Sequence, residues 1–109
     1  MAITYKNARY VASTSYATAY TCPSGTTALV QMANAANVNA SANATASMQW
    51  LDSSASNAAT RLVPGISVPP QLAQKMLDGP LTLEAGDALQ IKGSTANDIE
   101  LSLTICEIT

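Results

Sequence analysis

The sequence predicts an all-β fold: a single-domain antiparallel β-sandwich, jelly-roll-like or immunoglobulin-like, that spans residues 1–109. Short stretches of alternating apolar and polar residues recur along the chain, and clusters of turn-forming residues separate them. The large apolar side chains are mainly Leu, Ile, Val and Met, with one Trp and no Phe. At this length one domain buries a sizeable core without the help of a disulfide or a metal.

The first half of the chain alternates between strand patterns and polar turns. Strands are predicted over ITYKNARYVA, SYATAYTC and TTALVQMANAANV, and the turn CPSG at Cys22–Gly25 precedes the last of them. Further on, Ala46, Met48 and Trp50 share one face, which is typical of a half-buried strand. The Ala-, Ser- and Asn-rich middle, residues 33–60, lacks the apolar repeat of a helix, so strand and loop are expected there.

The second half predicts a bent strand, a corner and a final strand. The strand ATRLV bends at Pro64-Gly65 and its continuation ends at Pro69. Residues 71–77, QLAQKML, are compatible with one short helical turn and also with a loop on the rim of the core. The stretch LTLEAGDALQIKG reverses at Ala-Gly-Asp, which indicates a hairpin or a corner between two sheets. The clearest alternation, Ile99 to Ile105, predicts the last strand.

Large apolar side chains on the inward phase of these strands define the expected core. Trp50 is interpreted as a core anchor because it is the largest apolar side chain, and an exposed interface hot spot is the alternative. The residues expected to contribute to the core are Leu29, Val30, Met48, Trp50, Leu62, Leu83, Leu89, Ile91, Leu101 and Leu103.

Charge and hydropathy exclude several classes of partner. Charged residues make up 11% of the chain and the net charge is −2. Five basic residues cannot form the dense footprint that neutralises phosphates, so no direct nucleic-acid partner is expected. No basic amphipathic segment and no run of transmembrane length occurs, so no membrane partner is expected either. The start MAITYKNARYVA lacks the apolar run of a signal peptide, which predicts synthesis and retention in a cytoplasm.

The chain offers few groups for catalysis or for holding a cofactor. It contains no His, which excludes Ser-His-Asp and Cys-His arrangements. Glu84 and Asp87 flank Ala-Gly and are the candidate carboxylate pair. They are interpreted as a solvated turn in which Asp87 caps backbone amides, because a calcium site needs more oxygen ligands. The sequence therefore predicts a protein that is not an enzyme and that carries no catalytic residue, metal or cofactor.

The two cysteines, Cys22 and Cys106, lie far apart in sequence. Neither belongs to a C-x-x-C pair, and the favoured interpretation is two reduced thiols that behave as small apolar residues. A Cys22–Cys106 disulfide is the alternative, because both residues could lie at adjoining sheet edges. The alternation of the last strand points Cys106 away from the main core.

The first twenty residues hold all the tyrosines and two of the five basic residues. Tyrosine rings suit an interface that is half apolar and half wet, and Arg is a frequent anchor there. Residues 1–20 are therefore interpreted as an interaction arm or, alternatively, as the first strands of the sandwich. The candidate interface residues are Tyr5, Lys6, Arg9, Tyr10, Tyr16 and Tyr20.

Four segments cover most of the chain from Tyr20 to Thr109: YTCPSGTTALVQMANAANV, ASMQWLDSS, TRLVPGISVPP and GPLTLEAGDALQIKGSTANDIELSLTICEIT. In these segments the chain resembles a group of small virion proteins of tailed bacteriophages. They match in the order of a turn, a strand with a central Trp, a proline-marked strand, an L-x-L-E-A-G-D-x-L corner and a final strand. The resemblance implies a β-sandwich that decorates or connects parts of a phage particle.

Three functions remain open from the sequence. The first is a capsid decoration or cement protein on the head lattice, and the second is a collar, neck or tail accessory subunit. The third is a carbohydrate- or receptor-binding module in which Trp50 and the tyrosines stack on sugar. Under the first two, the resemblance implies a protein of the virion, made in the host cytoplasm. Its partners would be copies of itself and other virion proteins, namely the major capsid protein or collar and tail proteins.

Overall fold

Nine strands build two antiparallel sheets that pack face to face in the computed structural model, which describes residues 1–109. The molecule measures 47 × 27 × 21 Å. One 3-10 turn, Ser53–Ala55, follows β4. The strands are β1 (Ile3–Val11), β2 (Ala17–Thr21), β3 (Thr27–Asn37), β4 (Ala44–Asp52), β5 (Ala58–Val68), β6 (Ala73–Lys75), β7 (Leu81–Leu83), β8 (Ala88–Gly93) and β9 (Ile99–Ile108).

The strand order identifies the sandwich as a jelly roll. One sheet, the β1 sheet, has the order β1-β9-β3-β6, and β7 also pairs with β3. The other sheet, the β2 sheet, has the order β2-β8-β4-β5. The chain crosses from one sheet to the other after β1, β2, β3, β5, β7 and β8, so sequence neighbours mostly lie in different sheets. The predicted β-sandwich is confirmed, and of the two predicted topologies the jelly roll is the one present.

Alternation along β9 places the centre of the core. This strand lies between β1 and β3, and every second side chain from Ile99 to Ile105 is buried. The buried residues of β9 face those of β8 and β4 in the β2 sheet. Seven of the expected core side chains are fully buried: Val30, Met48, Leu83, Leu89, Ile91, Leu101 and Leu103.

Three other expected core residues are less buried. Trp50 and Leu62 are half-buried and pack against the rim of the core. Leu29 is wrongly assigned, because adjacent residues of a strand point to opposite faces and Val30 occupies the inward position. Leu29 therefore lies on the outer face of the β1 sheet, opposite Cys106 of β9.

The stretch LTLEAGDALQIKG forms the corner between the sheets. β7 pairs with β3 in the β1 sheet, whereas β8 pairs with β2 and β4 in the β2 sheet. The reversal at Ala85-Gly86-Asp87 places Gly86 at φ 88°, a backbone conformation that favours glycine. The corner interpretation is confirmed and the hairpin alternative is wrong.

The predicted helical turn at residues 71–77 is also wrong. Ala73–Lys75 forms β6 and pairs with Ala36–Asn34 of β3. The chain turns at Pro69-Pro70 and at Gln71, whose φ is 59°, and so meets the free edge of β3. The backbone groups of this edge then accept and donate the hydrogen bonds that a helical turn would make within itself. The short helical element lies instead at Ser53–Ala55, where Asp52 accepts a hydrogen bond from the Ser54 amide.

The bend expected at Pro64-Gly65 is present. Ala46 pairs with Ile66 and Met48 pairs with Val63, so two residues of β5 face a single residue of β4 and form a bulge. The protein has no helix that is long and apolar enough to cross a membrane.

Candidate functional site

The corner carboxylate Asp87 is held by three hydrogen bonds. Its Oδ1 accepts from the amide and the hydroxyl of Ser53, both at 2.9 Å, and its Oδ2 accepts from the amide of Glu84 at 2.9 Å. Asp87 is only 2% exposed. Burial alone would raise the pKa of this carboxyl, but the donors of Ser53 and Glu84 outweigh burial and lower the pKa below its usual value. The expected capping of backbone amides is confirmed, although the group is buried rather than solvated.

Two further carboxylates approach this corner. Oxygen atoms of Asp52, Glu84 and Asp87 lie within 4.8 Å of one another. Asp52 accepts hydrogen bonds from the amide and hydroxyl of Ser54, so both aspartates are occupied by nearby donors. The arrangement joins the end of β4 to the turn between β7 and β8, and its role is to close the corner between the sheets.

A second polar contact joins the sheets near the C-terminus. The Tyr20 hydroxyl, from the β2 sheet, donates to Glu107 Oε2 of the β1 sheet. Lys6 Nζ lies 3.2 Å from Glu107 Oε1. The Tyr20 hydrogen bond and the Lys6 charge hold the pKa of Glu107 below its usual value against the effect of burial. Burial and the neighbouring carboxylate raise the pKa of Tyr20.

The structure separates the candidate interface residues of the N-terminal segment. Tyr20 and Lys6 meet at Glu107, between the sheets. Tyr10 is half-buried and packs on the core, and the ring of Tyr16 lies 4.8 Å from Lys92 Nζ. Of the six candidates, Tyr5 and Arg9 are exposed to solvent, Tyr5 to 70%, and the Lys6 side chain is exposed in part. Residues 3–11 pair with β9 along their whole length.

The outer face of the β1 sheet carries most of the exposed apolar side chains. Four of the large exposed ones lie here: Ile3, Tyr5, Val11 and Met32. The pairing register places Ile3 beside Ile108 and Tyr5 beside Cys106 and Leu29, whereas the rows of Met32 and Val11 also hold Asn7, Thr104 and Glu100. Val38 and Leu72, also exposed, line a hollow at the end of this face with Ala36 and Ala73. This set is called the apolar face below.

Sequence reasoning missed most of the apolar face. Ile3, Tyr5 and Val11 have the same parity in a nine-residue strand, so alternation could have shown that they share one side. Alternation does not predict the position of Met32, because a register shift between Val30 and Met32 changes which residues of β3 face outward. Only the observed pairing places Met32 opposite Thr104 on the outer face.

The outer face of the β2 sheet is polar. The amide of Gln49 donates to Gln90 Oε1 at 2.7 Å, and the amide of Gln90 donates to Thr18 Oγ1 at 3.2 Å. This row of side chains crosses β4, β8 and β2, and Arg61 of β5 pairs with Gln49 at its end. These residues are called the polar face below. Their amide and hydroxyl groups can also bind water.

Both thiols are buried and free. Cys22 lies within the core, and its Sγ is 3.2 Å from the Thr26 carbonyl oxygen. Burial raises the pKa of the Cys22 thiol. Cys106 is 5% exposed and lies outside the core cluster, on the outer side of β9 between Tyr5 and Leu29. The two sulfur atoms are not bonded to each other in this structure.

Comparisons with known proteins identify relatives of the fold alone. No protein-family model matches the chain, and no curated protein matches its sequence. A protein of Bacillus endospore appendages, described as disulfide-linked pili, aligns with a TM-score of 0.56 at 14% identity over 99% of this chain and 87% of that one. A protein of the T13 infectious bursal disease virus particle aligns with a TM-score of 0.56 at 5% identity.

That second alignment covers 96% of this chain but only 30% of the viral one. A pentameric capsid protein from metagenomic phage sequences aligns more distantly, with a TM-score of 0.45 at 17% identity over 91% of this chain and 60% of that one. At this distance the phage protein bears on neither fold nor function. The two closer alignments establish that the sandwich occurs in a pilus protein and in a virus-particle protein.

Proposed function

We propose that the chain is a non-enzymatic structural subunit of a virion, and specifically a decoration protein that seats on a capsid lattice. The observation that carries the proposal is the contrast between the apolar face and the polar face. A subunit that binds an assembly needs one surface that gains free energy when water leaves it and another that stays solvated. This sandwich has one of each.

The apolar face fits a protein partner better than a small ligand. It is a wide sheet surface with Ile3, Tyr5, Val11 and Met32 spread over it, rather than a deep cleft. Its continuous apolar part is formed by the rows of Ile3 with Ile108 and of Tyr5 with Leu29, and an exposed apolar patch of this kind is typical of an interaction site.

The fold and its known occurrences support the same class of function. Jelly rolls are frequent in viral capsid proteins. The two alignments above 0.5 are to a pilus protein and to a virus-particle protein, both of which belong to large assemblies. The resemblance of Tyr20 to Thr109 to tailed-phage virion proteins favours the virion over the pilus. Fold analogy alone does not assign a function, so the proposal depends on the two faces.

The polar groups of the chain have structural roles, which supports a non-enzymatic function. Asp87 accepts three hydrogen bonds at the corner between the sheets. Glu107 accepts a hydrogen bond from Tyr20 of the other sheet and forms an ion pair with Lys6. The sugar-binding alternative needs several exposed aromatic rings, yet Trp50 packs on the core rim and Tyr16 lies against Lys92, so Tyr5 is the one largely exposed ring.

Binding to particles tests the proposal. Purified chain is mixed with virus heads that lack it, and bound copies are counted after sedimentation. Met32→Asp places a charge on the apolar face and should abolish binding. Thr18→Asp places the same charge on the polar face and should bind as the unmodified chain does. Equal binding by both variants, or loss of binding only in Thr18→Asp, would contradict the proposed surface.

The copy number separates the two virion locations. A decoration protein should occupy every equivalent position of the head lattice. A collar or tail subunit should saturate at a single small ring per particle, and that result would replace the decoration assignment by the accessory-subunit alternative.

A further inference from the structure

The free edges of the two sheets are protected to very different degrees. An exposed edge presents unpaired N–H and C=O groups to which another strand can pair, and natural proteins commonly shorten, bulge or interrupt such edges. β6 and β7 have three residues each. β2 has five residues and a register shift between Thr18 and Tyr20. β5 contains Pro64 and the bulge beside it.

The remaining edge, β1, is neither short nor bulged nor interrupted, and of its two charged residues, Lys6 and Arg9, the first is paired with Glu107 of its own chain. It pairs with β9 through nine consecutive residues without a register shift, and it contains no proline. Its residues are exposed or at most half-buried. β1 is therefore the one long, regular edge that the fold leaves open.

The hydrogen bonds at the two ends of β1 determine which groups face the open edge. Ala2 and Thr109 exchange both backbone hydrogen bonds, at 3.2 and 2.9 Å, and the Ala12 amide donates to the Ile99 carbonyl at 2.8 Å. Hydrogen-bonded pairs alternate in an antiparallel ladder, so even-numbered residues of β1 direct their backbone groups to β9. The residues whose N–H and C=O point to the open edge are Ile3, Tyr5, Asn7, Arg9 and Val11.

We propose that two copies of the chain pair along this edge, β1 against β1, antiparallel about a twofold axis at Asn7. In this register Ile3 lies opposite Val11 of the second copy, and Tyr5 lies opposite its Arg9. Asn7 lies opposite Asn7 of the second copy. The pairs are apolar with apolar, ring with guanidinium, and amide with amide, and each is favourable across two strands.

Neighbouring registers fit less well. A shift in one direction sets Lys6 opposite Lys6 of the second copy, and like charges directly opposite each other are destabilising. A shift in the other direction leaves Ile3 without a partner residue in the strand. In the proposed register Lys6 lies opposite Ala8, and no two like charges meet.

This pairing would join the β1 sheets of both copies into one continuous sheet. The five outward residues of each copy form hydrogen-bonded pairs, and each pair exchanges two bonds, so about ten backbone hydrogen bonds are expected. The interface is isologous and closes at two copies. It uses the edge of the β1 sheet and leaves Met32, at the centre of the apolar face, open, so it does not depend on the function proposed above.

The oligomeric state in solution tests the proposal. Sedimentation velocity over a concentration series should show a dimer for the unmodified chain. Asn7→Pro removes an N–H that points away from β9, so it should give a folded monomer whose melting temperature does not rise with protein concentration. Asn7→Ala keeps the N–H and should remain dimeric. A chain that stays monomeric at high concentration, or a folded Asn7→Pro that still forms dimers, would overturn the pairing.

Cross-linking tests the register without relying on the proline variant. Both native thiols are buried, so an added cysteine on β1 is the reactive one. Asn7→Cys should give a covalent dimer with a short thiol cross-linker. Val11→Cys should not, because the two copies of residue 11 lie eight residues apart, about 27 Å at ~3.4 Å per residue.

Mixing Val11→Cys with Ile3→Cys should restore cross-linking, since these positions lie opposite each other. Equal cross-linking of Asn7→Cys and Val11→Cys would overturn the register. A dimer that cross-links at none of these positions would show that its interface lies elsewhere and would overturn the proposal.

Discussion

Replacing Asp87 with alanine should weaken the corner between the two sheets more than any other single change of a charged residue. The carboxylate connects Ser53, after β4, with Glu84, after β7. Asp87→Ala leaves two backbone amides and one hydroxyl without this acceptor. A hydrogen bond to a charged group contributes about 1.5–3 kcal/mol to stability. The three hydrogen bonds share one carboxylate, and burying that carboxylate costs part of what they contribute. We therefore expect Asp87→Ala to lower the free energy of unfolding by about 3 kcal/mol.

Urea unfolding at pH 7 measures this loss. For a chain of this size about 3 kcal/mol corresponds to a fall of roughly 12 °C in melting temperature. Glu84→Gln is the matched control, because it removes a charge from the same corner but from an exposed side chain. It should change the free energy of unfolding by no more than about 0.5 kcal/mol.

The pH dependence gives the sharper test. The folded state lowers the pKa of Asp87, so its ionised form stabilises the fold above the unfolded-state value near 4, and this contribution is lost as the pH falls below it. The difference in stability between the unmodified chain and Asp87→Ala should therefore shrink in acid. A difference under about 1 kcal/mol at pH 7, or one that does not change towards pH 3, would show that the Asp87 carboxylate does not hold the corner together.

Three further predictions concern the core and the N-terminal strand. Leu101→Ala should lower the free energy of unfolding by about 2–5 kcal/mol in urea, because Leu101 is buried at the centre of β9; a cost near zero would contradict its burial. Tyr20→Phe removes the hydrogen bond to Glu107, whose pKa it helps to lower, so the melting temperature of the variant should depend less on pH in acid, below the unfolded-state value of Glu near 4. It should also depend less on pH above about 10, where tyrosine of the unfolded chain ionises while the pKa of folded Tyr20 is raised. Deleting Met1–Arg9 removes most of β1 and uncovers one side of β9, so the chain should aggregate on size exclusion, whereas a truncated chain with an unchanged melting temperature would favour the interaction-arm interpretation.

Local alternation predicts strands well, but it does not predict which strands meet. The period of two from Ile99 to Ile105 was sufficient to identify β9 and its inward residues. The stretch from Leu81 to Gly93 was compatible with a hairpin or a corner, because its alternation is the same in both. Only the partner strands, β3 on one side and β2 and β4 on the other, decide between them.

The parts that sequence reasoning missed depend on contacts between distant residues. Asn37 is buried and its amide donates to the carbonyls of Ala42 and Val68, yet nothing distinguishes it in an Asn-rich segment. The tyrosines lie close together in the sequence, but their environments differ. Tyr5 is exposed to solvent, whereas the hydroxyl of Tyr20 donates to Glu107 in the other sheet. The apolar face is likewise a product of register, which sequence alone does not contain.

A cryo-EM reconstruction of virus particles incubated with the chain would show whether this sandwich is a structural subunit that binds its particle through the apolar face. The map should show the chain at equivalent lattice positions, with Tyr5 and Met32 buried against the capsid protein and the row of Gln49 and Gln90 facing solvent. A subunit seated on Gln49 and Gln90, with Met32 facing solvent, would contradict this binding mode.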